Sequence, residues 1–296
     1  MDKLKAIQVF VQIAEQGSLT KAARALSSSL PAVVRSLATL EAHLGVRLFH
    51  RTTRRISLTE EGKRYLESCH HVLAAVDEAD GTLAADAREP AGRLTITAPV
   101  LFGHMHVAPA VTRFLQRYDK MHCSVLLYDR VVNLPEEGID VGIRISPLED
   151  SSLVALPLGR IRRVVAASPD YLRRFGMPQH PNDLRGANCV RNSAGSAPGW
   201  AFHEKGRAFN VPVKGNLEFN HMAPSLEACA AGMGFGQFFS YQVAPFLRQR
   251  RLALVLEAFE APARPVSVVY PHARLLPTRT RVFIDWMRQE LQGFAA

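Results

Sequence analysis

The 296-residue chain lacks any apolar run near the ~18 residues that a membrane span requires, which excludes a helical membrane protein. A signal peptide is also missing: Met1-Asp2-Lys3 leads straight into an amphipathic segment, so a soluble, cytoplasmic protein without membrane contact is expected. Cysteine is scarce. Cys69, Cys123, Cys189 and Cys229 show neither C-x-x-C nor metal-ligand spacing, which points to reduced, mostly buried thiols and no metal. His104-x-His106 has no third ligand spaced nearby. No G-x-S-x-G occurs, and no His, Ser or Cys has a readable catalytic partner, so neither enzyme activity nor a cofactor is expected. Gly232-Met233-Gly234-Phe235-Gly236 is glycine-rich but follows a helix and enters a strand, the reverse of a dinucleotide-binding turn.

What is present begins at the N-terminus. Leu4, Ile7, Phe10, Val11 and Ala14 recur at helical spacing, and Gly17 ends that helix. Ser18 is a good N-cap for a short second helix rich in alanine (Ala22, Ala23, Ala25). Ser27, Ser28 and Ser29 break it, because short hydroxyl side chains compete for local backbone hydrogen bonds. Pro31 then sits at or near the first turn of a third helix, where its missing N–H costs nothing. In that helix Val33, Leu37, Leu40 and Leu44 form an apolar stripe, while Ala32, Arg35, Ser36 and Thr39 fall on the other face. Gly45 ends it. The arrangement predicts a helix-turn-helix with its recognition helix at 31–44, which lies in a DNA major groove.

Arg47, His50, Arg51, Arg54 and Arg55 then crowd into nine residues with no acid among them. Ile56 and Leu58 alternate with polar neighbours, suggesting a short strand and hence a β-wing. Joined to a helix-turn-helix, such a cluster reads as a phosphate-contacting element. Charge is uneven along the chain: +5 over residues 1–60, −4 over 61–90 and +8 over 91–296. The acidic segment has helical periodicity, with Tyr65, Cys69, Val72, Leu73, Val76, Ala79 and Leu83 on one stripe. A stripe of this kind must be buried, against its own domain or against the same helix of a second subunit. The second is preferred, because helix-turn-helix proteins read two half-sites by two-fold symmetry.

The ordered series Phe10, GSLTKAARAL at 17–26, Pro31-Ala32-Val33 with Arg35, Leu40-Glu41, Leu44-Gly45, Leu48-Phe49 with Arg51, and LTEEG at 58–62 resembles the LysR-type transcriptional regulators, over essentially the whole chain. The resemblance implies an α/β protein with an N-terminal winged helix-turn-helix and a two-lobed, periplasmic-binding-protein-like (type II) effector domain. It implies a linker helix that pairs subunits, and association into tetramers. The DNA-binding set is then Ser18, Thr20, Ser28, Ser29, Leu30, Pro31, Ala32, Arg35, Ser36, Thr39, Arg51, Thr52, Thr53 and Arg54, contacting a double-stranded operator. Two residues depart from the family pattern. Leu30 stands where a polar residue is usual, exchanging a polar base contact for an apolar one with a thymine methyl, and Val34 replaces a usual Ser. The resemblance also raises a redox-sensing cysteine pair as an alternative to inert thiols.

Pro90-Ala91-Gly92 marks a domain boundary, giving segments 1–60, 61–89 and 90–296. Beyond it, strands are expected at 94–98, 124–128, 141–145, 164–167, near 200–204 and 209–214, at 235–239 and at 266–270. Helices are expected at 103–118, near 134–137, and at 169–175, 224–231 and 278–291, with mostly parallel sheets. Lobe I is read as 92–161 with 267–296, and lobe II as 162–266. Ligands bind at the carboxyl ends of strands in such sheets. That places a small-molecule effector against Pro99, Val100, Leu101, Phe102, Asp129, Arg144 and Ser146, faced by Trp200, Phe202, His221, Met222 and Gln237. The N–H groups of the first loop suit a carboxylate, and the +8 balance leans the same way, although Pro99 and Val100 stand where the family often has a hydroxyl residue. The expected outcome is a ligand-responsive transcription factor whose subunit arrangement controls DNA bending and contact with RNA polymerase. A small-molecule binder with a vestigial DNA domain and an enzyme in the two-lobed body are the alternatives.

Overall fold

The computed structural model describes residues 2–51, 56–82, 89–146, 153–193, 199–272 and 276–292. The chain divides into two compact units, Met1–Glu89 and Pro90–Ala296.

In the first unit, α1 (Lys3–Gln16), α2 (Leu19–Ala25) and α3 (Leu30–Leu44) are followed by β1 (Phe49–Arg51), β2 (Ile56–Leu58) and α4 (Glu60–Thr82). Each of the first three helices starts at a side-chain cap: Asp2 accepts from the Lys5 N–H, Ser18 from Lys21 and Ser29 from Ala32. Gly17 and Gly45 end α1 and α3 in the left-handed region, at φ 57° and 69°. The recognition helix starts one residue earlier than expected, with Pro31 inside its first turn. Its spacing buries Val33, Leu37 and Leu40 against Phe10, Ile13, Leu48 and Phe49, each burial worth about 1.5–3 kcal/mol. The Phe10 ring lies 5.4 Å from those of both Phe49 and Tyr65. Tyr65, Leu66 and Leu73 of α4 pack on this core and Cys69 is sealed into it, while Val72 is 45% exposed. The stripe read from the sequence is therefore divided. Its first turns serve the domain itself, the less favoured of the two readings, while Val72 stays open.

The second unit opens with β3 (Gly92–Ala98), then a continuous helical stretch: α5 (Val100–Phe102), a π-helical turn (Gly103–Val107) and α6 (Ala108–Arg117). β4 (Met121–Leu127), β5 (Val141–Ile145) and β6 (Leu153–Ile161) complete the first passage. The chain then builds β7 (Arg163–Ala167), α7 (Pro169–Phe175), a 3-10 turn (Pro181–Gly186), β8 (Asn188–Asn192), β9 (Trp200–Glu204), β10 (Arg207–Val211), β11 (Lys214–Phe219), α8 (Met222–Ala230), β12 (Gly236–Phe239), α9 (Ser240–Arg248) and β13 (Ala253–Val255). It ends with β14 (Arg264–Pro271) and α10 (Thr278–Glu290).

The first lobe is a five-stranded sheet in the order β4-β3-β5-β14-β6, with α6 and α10 packed on it around Phe114, Phe283 and Met287. β3 runs parallel to β4 and β5, but β14 is antiparallel to β5 and β6. In the second lobe β7 is flanked antiparallel by β12 and β13, β8 and β11 pair in parallel, and β9 and β10 form a hairpin. The five-stranded sheet is thus mixed, because the returning strand β14 enters it in the opposite sense, and the β12-β7-β13 sheet is wholly antiparallel rather than parallel. Four elements escape the sequence reading: β6, β8, α9 and β13. Pro157 lies inside β6, which is tolerated because that strand is the sheet edge, and the pairing with β14 shifts register between Val266 and Ser267. Pro245 lies inside α9 and hides it equally well. The helix expected near 134–137 is a turn, and the strand expected at 209–214 divides into β10 and β11.

Candidate functional site

On α3 the apolar stripe faces inward, leaving Pro31, Arg35, Ala38 and Thr39 exposed, with Ala32, Val34 and Ser36 half-buried beside them. Leu30 is 41% exposed at the N-terminal tip. An apolar group held in water there favours contact with a methyl surface such as thymine's. The Thr39 hydroxyl donates to the Arg35 carbonyl at 2.8 Å, so outward it offers its methyl and its lone pairs. Ser18 and Ser29 use their oxygens as helix caps, leaving each hydroxyl proton free to donate to a phosphate. Thr20 and Ser28 are exposed beside them. Arg51 ends β1, and the expected contacts of its side chain and of Thr52, Thr53 and Arg54 lie outside the described residues.

Two side chains fix the wing to the helices on either side of it, and the sequence reading gave neither a structural role. The Glu41 carboxylate of α3 accepts from the N–H groups of Leu48 and Phe49, at 2.9 and 3.3 Å. This locks the start of β1 to the end of α3. Thr59 donates to the Arg47 carbonyl at 2.8 Å and accepts from the Gly62 N–H at 2.9 Å, capping α4. Gly62 itself has no room for a side chain, since a Cβ there would stand 2.1 Å from the Leu48 carbonyl oxygen. The LTEEG run is therefore a strand end, a cap, two acids at the helix's positive end and an obligatory close approach. A Thr directly before two acids was the available signal.

In the C-terminal body, the first-loop N–H expected to hold a ligand carboxylate already holds one from the protein. Asp129 Oδ1 accepts from the Val100 N–H at 3.0 Å, and Oδ2 lies 3.7 Å from His221 Nδ1. Asp129, Val100 and His221 are thereby brought together across the two lobes. Arg144 turns its guanidinium to the Val132 carbonyl. Gln237 reaches back toward the Ala201 carbonyl at 3.5 Å, and Met222 packs on the second lobe's core. Pro99, Val100, Leu101 and Ser146 are half-buried. Three of the expected pocket residues belong instead to the cores. Phe102 is fully buried between the rings of His106 and Tyr241, while Trp200 and Phe202 pack with Phe235 and Val255. Strand periodicity marks an aromatic side chain as facing inward without saying whether core or cleft lies there.

Missed by the sequence reading is a cavity of about 310 Å³ between the helical stretch after β3 and helices α8 and α9; of the expected effector residues only Leu101 lines it. Tyr241, at the start of α9, is buried in the first lobe's core and receives a hydrogen bond from Gln242 at 3.1 Å. Burial pushes its phenol well above the usual range, so it stays neutral.

Burial also raises every thiol: Cys69 and Cys123 to about 11, Cys189 to about 12 and Cys229 further still. Because the thiolate is the reactive form, alkylation of the native protein at pH 7.5 is expected to be slow at all four and rapid once it is denatured. Time-resolved mass spectrometry with iodoacetamide checks this; fast labelling of any one in the native protein contradicts it.

Comparison with known proteins agrees with this geometry. A family model described as the bacterial regulatory helix-turn-helix protein, lysR family, matches residues 4–63, and the LysR substrate binding domain matches residues 87–292. An HTH-type transcriptional repressor of Pseudomonas aeruginosa strain UCBPP-PA14 is 35% identical over 98% of this chain and 92% of its own length. The regulator CrgA of Neisseria meningitidis serogroup C is 32% identical over 96% of each chain. The solved structure of Neisseria meningitidis CrgA superposes with a TM-score of 0.63 at 30% identity, covering 97% of this chain and 98% of that one. The full-length structure of AphB, the Vibrio cholerae virulence activator, gives 0.61 at 25% identity, with coverage of 96% and 98%. The chain belongs to the LysR family: it is a DNA-binding transcriptional regulator with an N-terminal helix-turn-helix and a C-terminal effector-binding domain.

Proposed function

We propose that the protein acts in the cytoplasm as a paired DNA reader without catalytic activity of its own, its grip on the operator governed by a small molecule bound at the junction of the two lobes. The organisation is a reader at 1–60, a linker helix at 61–89 and the effector body beyond. The observation that carries this reading is the exposed face of α3 with a wing tied to its C-terminal end through Glu41. Arg35, Ser36, Thr39 and the Leu30 tip read base edges, while Ser18, Thr20, Ser28, Ser29 and the wing residues Arg51 to Arg54 hold the backbone. The outward side of α4 beginning at Val72 pairs two subunits, and two such pairs form a tetramer. Effector binding shifts the population of subunit arrangements, provided its affinities for them differ, and this alters DNA bending and the approach of RNA polymerase.

Footprinting upstream of neighbouring genes, followed by salt titration of binding, tests this. Arg54→Ala is expected to weaken binding to all sequences about equally and to lower the salt slope by about 1 per subunit. A salt-insensitive wild-type complex, or no footprint at any site, would sink the reading.

A further inference from the structure

Two independent observations bear on the chemistry of the effector, and both point away from an anion. The first is the occupied cradle at the start of α5, where Asp129 supplies the carboxylate itself and keeps its second oxygen toward His221. An anionic ligand would have to displace a tethered carboxylate that is already in place. The second is the cavity at the lobe junction, walled by Leu101, Met105, Ala223, Leu226, Pro245 and Phe246. Its two polar neighbours are already satisfied. Gln242, 4% exposed, accepts from the Phe239 N–H at 2.8 Å and donates to the Tyr241 hydroxyl, and Glu227 is ion-paired with Arg251 at 2.6 Å. Pro245 contributes no N–H. An anionic ligand here would lose hydration and meet the Glu227 carboxylate, and a cation would have to compete with Arg251 for that carboxylate, whereas an apolar ligand gives up little.

The cavity's walls are also unusual in their backbone. Met105 reaches it from the π-helical turn Gly103–Val107, so that wall departs from regular α geometry, and Pro245 reaches it from inside α9. Such turns concentrate at functional sites, and an unbranched methionine adapts its shape to what it meets. The volume lies at the lower end of the ~300–1,000 Å³ range of small-molecule sites. Leu101 packs against the cores of both lobes. A molecule seated beside it therefore bears on their relative arrangement.

We propose that the effector domain takes an uncharged, predominantly apolar small molecule in the cavity between Leu101 and Met105 on one side and α8 and α9 on the other. This rests on the reading of the C-terminal body as the effector-binding domain. The test uses two fluorescent probes sharing one ring system, the uncharged N-phenyl-naphthylamine and the anionic anilinonaphthalene sulfonate, titrated into the full-length protein. The expected result is saturable binding of the uncharged probe, one per subunit, without competition from the sulfonate. Ala223 is exposed, so Ala223→Trp fills the cavity mouth without disturbing a core; it should lower that affinity about tenfold or more while leaving the melting temperature unchanged. Ala223→Ser should bind as wild type. Absence of saturable binding, equal binding of the sulfonate, insensitivity to Ala223→Trp, or binding only to dissociated subunits (the mark of a cavity filled by a second copy) each overturns the proposal. Operator binding is measured on the same samples. If it persists, and anionic compounds alone alter the footprint, the regulator reading stands while this inference fails.

Discussion

Gly62→Ala is expected to destabilise the N-terminal unit by about 2–4 kcal/mol. The added Cβ would stand 2.1 Å from the Leu48 carbonyl oxygen and 3.1 Å from Leu58 Cδ2, so backbone rather than a flexible side-chain end must yield. That carbonyl also accepts the Thr59 N–H at 3.0 Å, and pushing it away loosens the cap of α4 as well as the strand. Propensity works the other way, since alanine favours a helix interior over glycine by about 1 kcal/mol. The sign of the change therefore separates packing from propensity. Calorimetry of the full-length protein should show the N-terminal transition lowered by about 10–30 °C with the C-terminal one unmoved. An unchanged or raised transition would show that α4 can shift without cost. Because Leu48 and Phe49 are held by Glu41 of the recognition helix, the same variant should lose operator affinity before it loses secondary structure.

Arg35→Ala is expected to act on discrimination rather than on stability. Arg35 is exposed on the outward face of α3, one turn before the exposed Thr39 and remote from the buried Val33–Leu37–Leu40 stripe. Its guanidinium can present two parallel donors to a guanine edge, a contact worth about 1–3 kcal/mol of discrimination per half-site, or roughly 5- to 150-fold. Competition anisotropy at one fixed salt concentration, with operator against scrambled duplex, reads this ratio directly. Operator affinity should fall toward the scrambled value while the scrambled value itself scarcely moves. Equal losses on both duplexes would make Arg35 a phosphate contact. Paired with Arg54→Ala, whose loss should be uniform across sequences, the two variants separate base reading from backbone holding.

The N-terminal reader was legible because its punctuation is local. Ser18 and Ser29 cap the helices they precede, Gly17 and Gly45 close the ones they follow, and Pro31 falls in a first turn. Each acts within four residues of itself, so a linear reading finds it. β6 and α9 were lost for a reason of the same kind with the opposite sign. Pro157 and Pro245 forbid regular structure as a local rule, and only the edge position of β6 and the packing of Tyr241 and Val243 override that rule. The division of the α4 stripe was likewise invisible: period alone places Cys69 and Val72 on one face, yet one is sealed into the domain and the other lies open.

Sequence alone determined the class of chemistry: a helix-turn-helix, cations placed after it and an α/β body beyond. Those properties live in residue type and short-range period, which the order of the chain states outright. Tertiary structure alone decided which residues meet at the lobe junction. Asp129 meets Val100 across 29 residues, Leu101 meets α8 and α9 across more than a hundred, and Phe102, Trp200 and Phe202 turn into cores rather than toward a ligand. A carboxylate that reads as a ligand contact when seen in sequence becomes the occupant of the contact once the chain is folded. Contacts between distant segments are set by packing, and packing carries no period to be read.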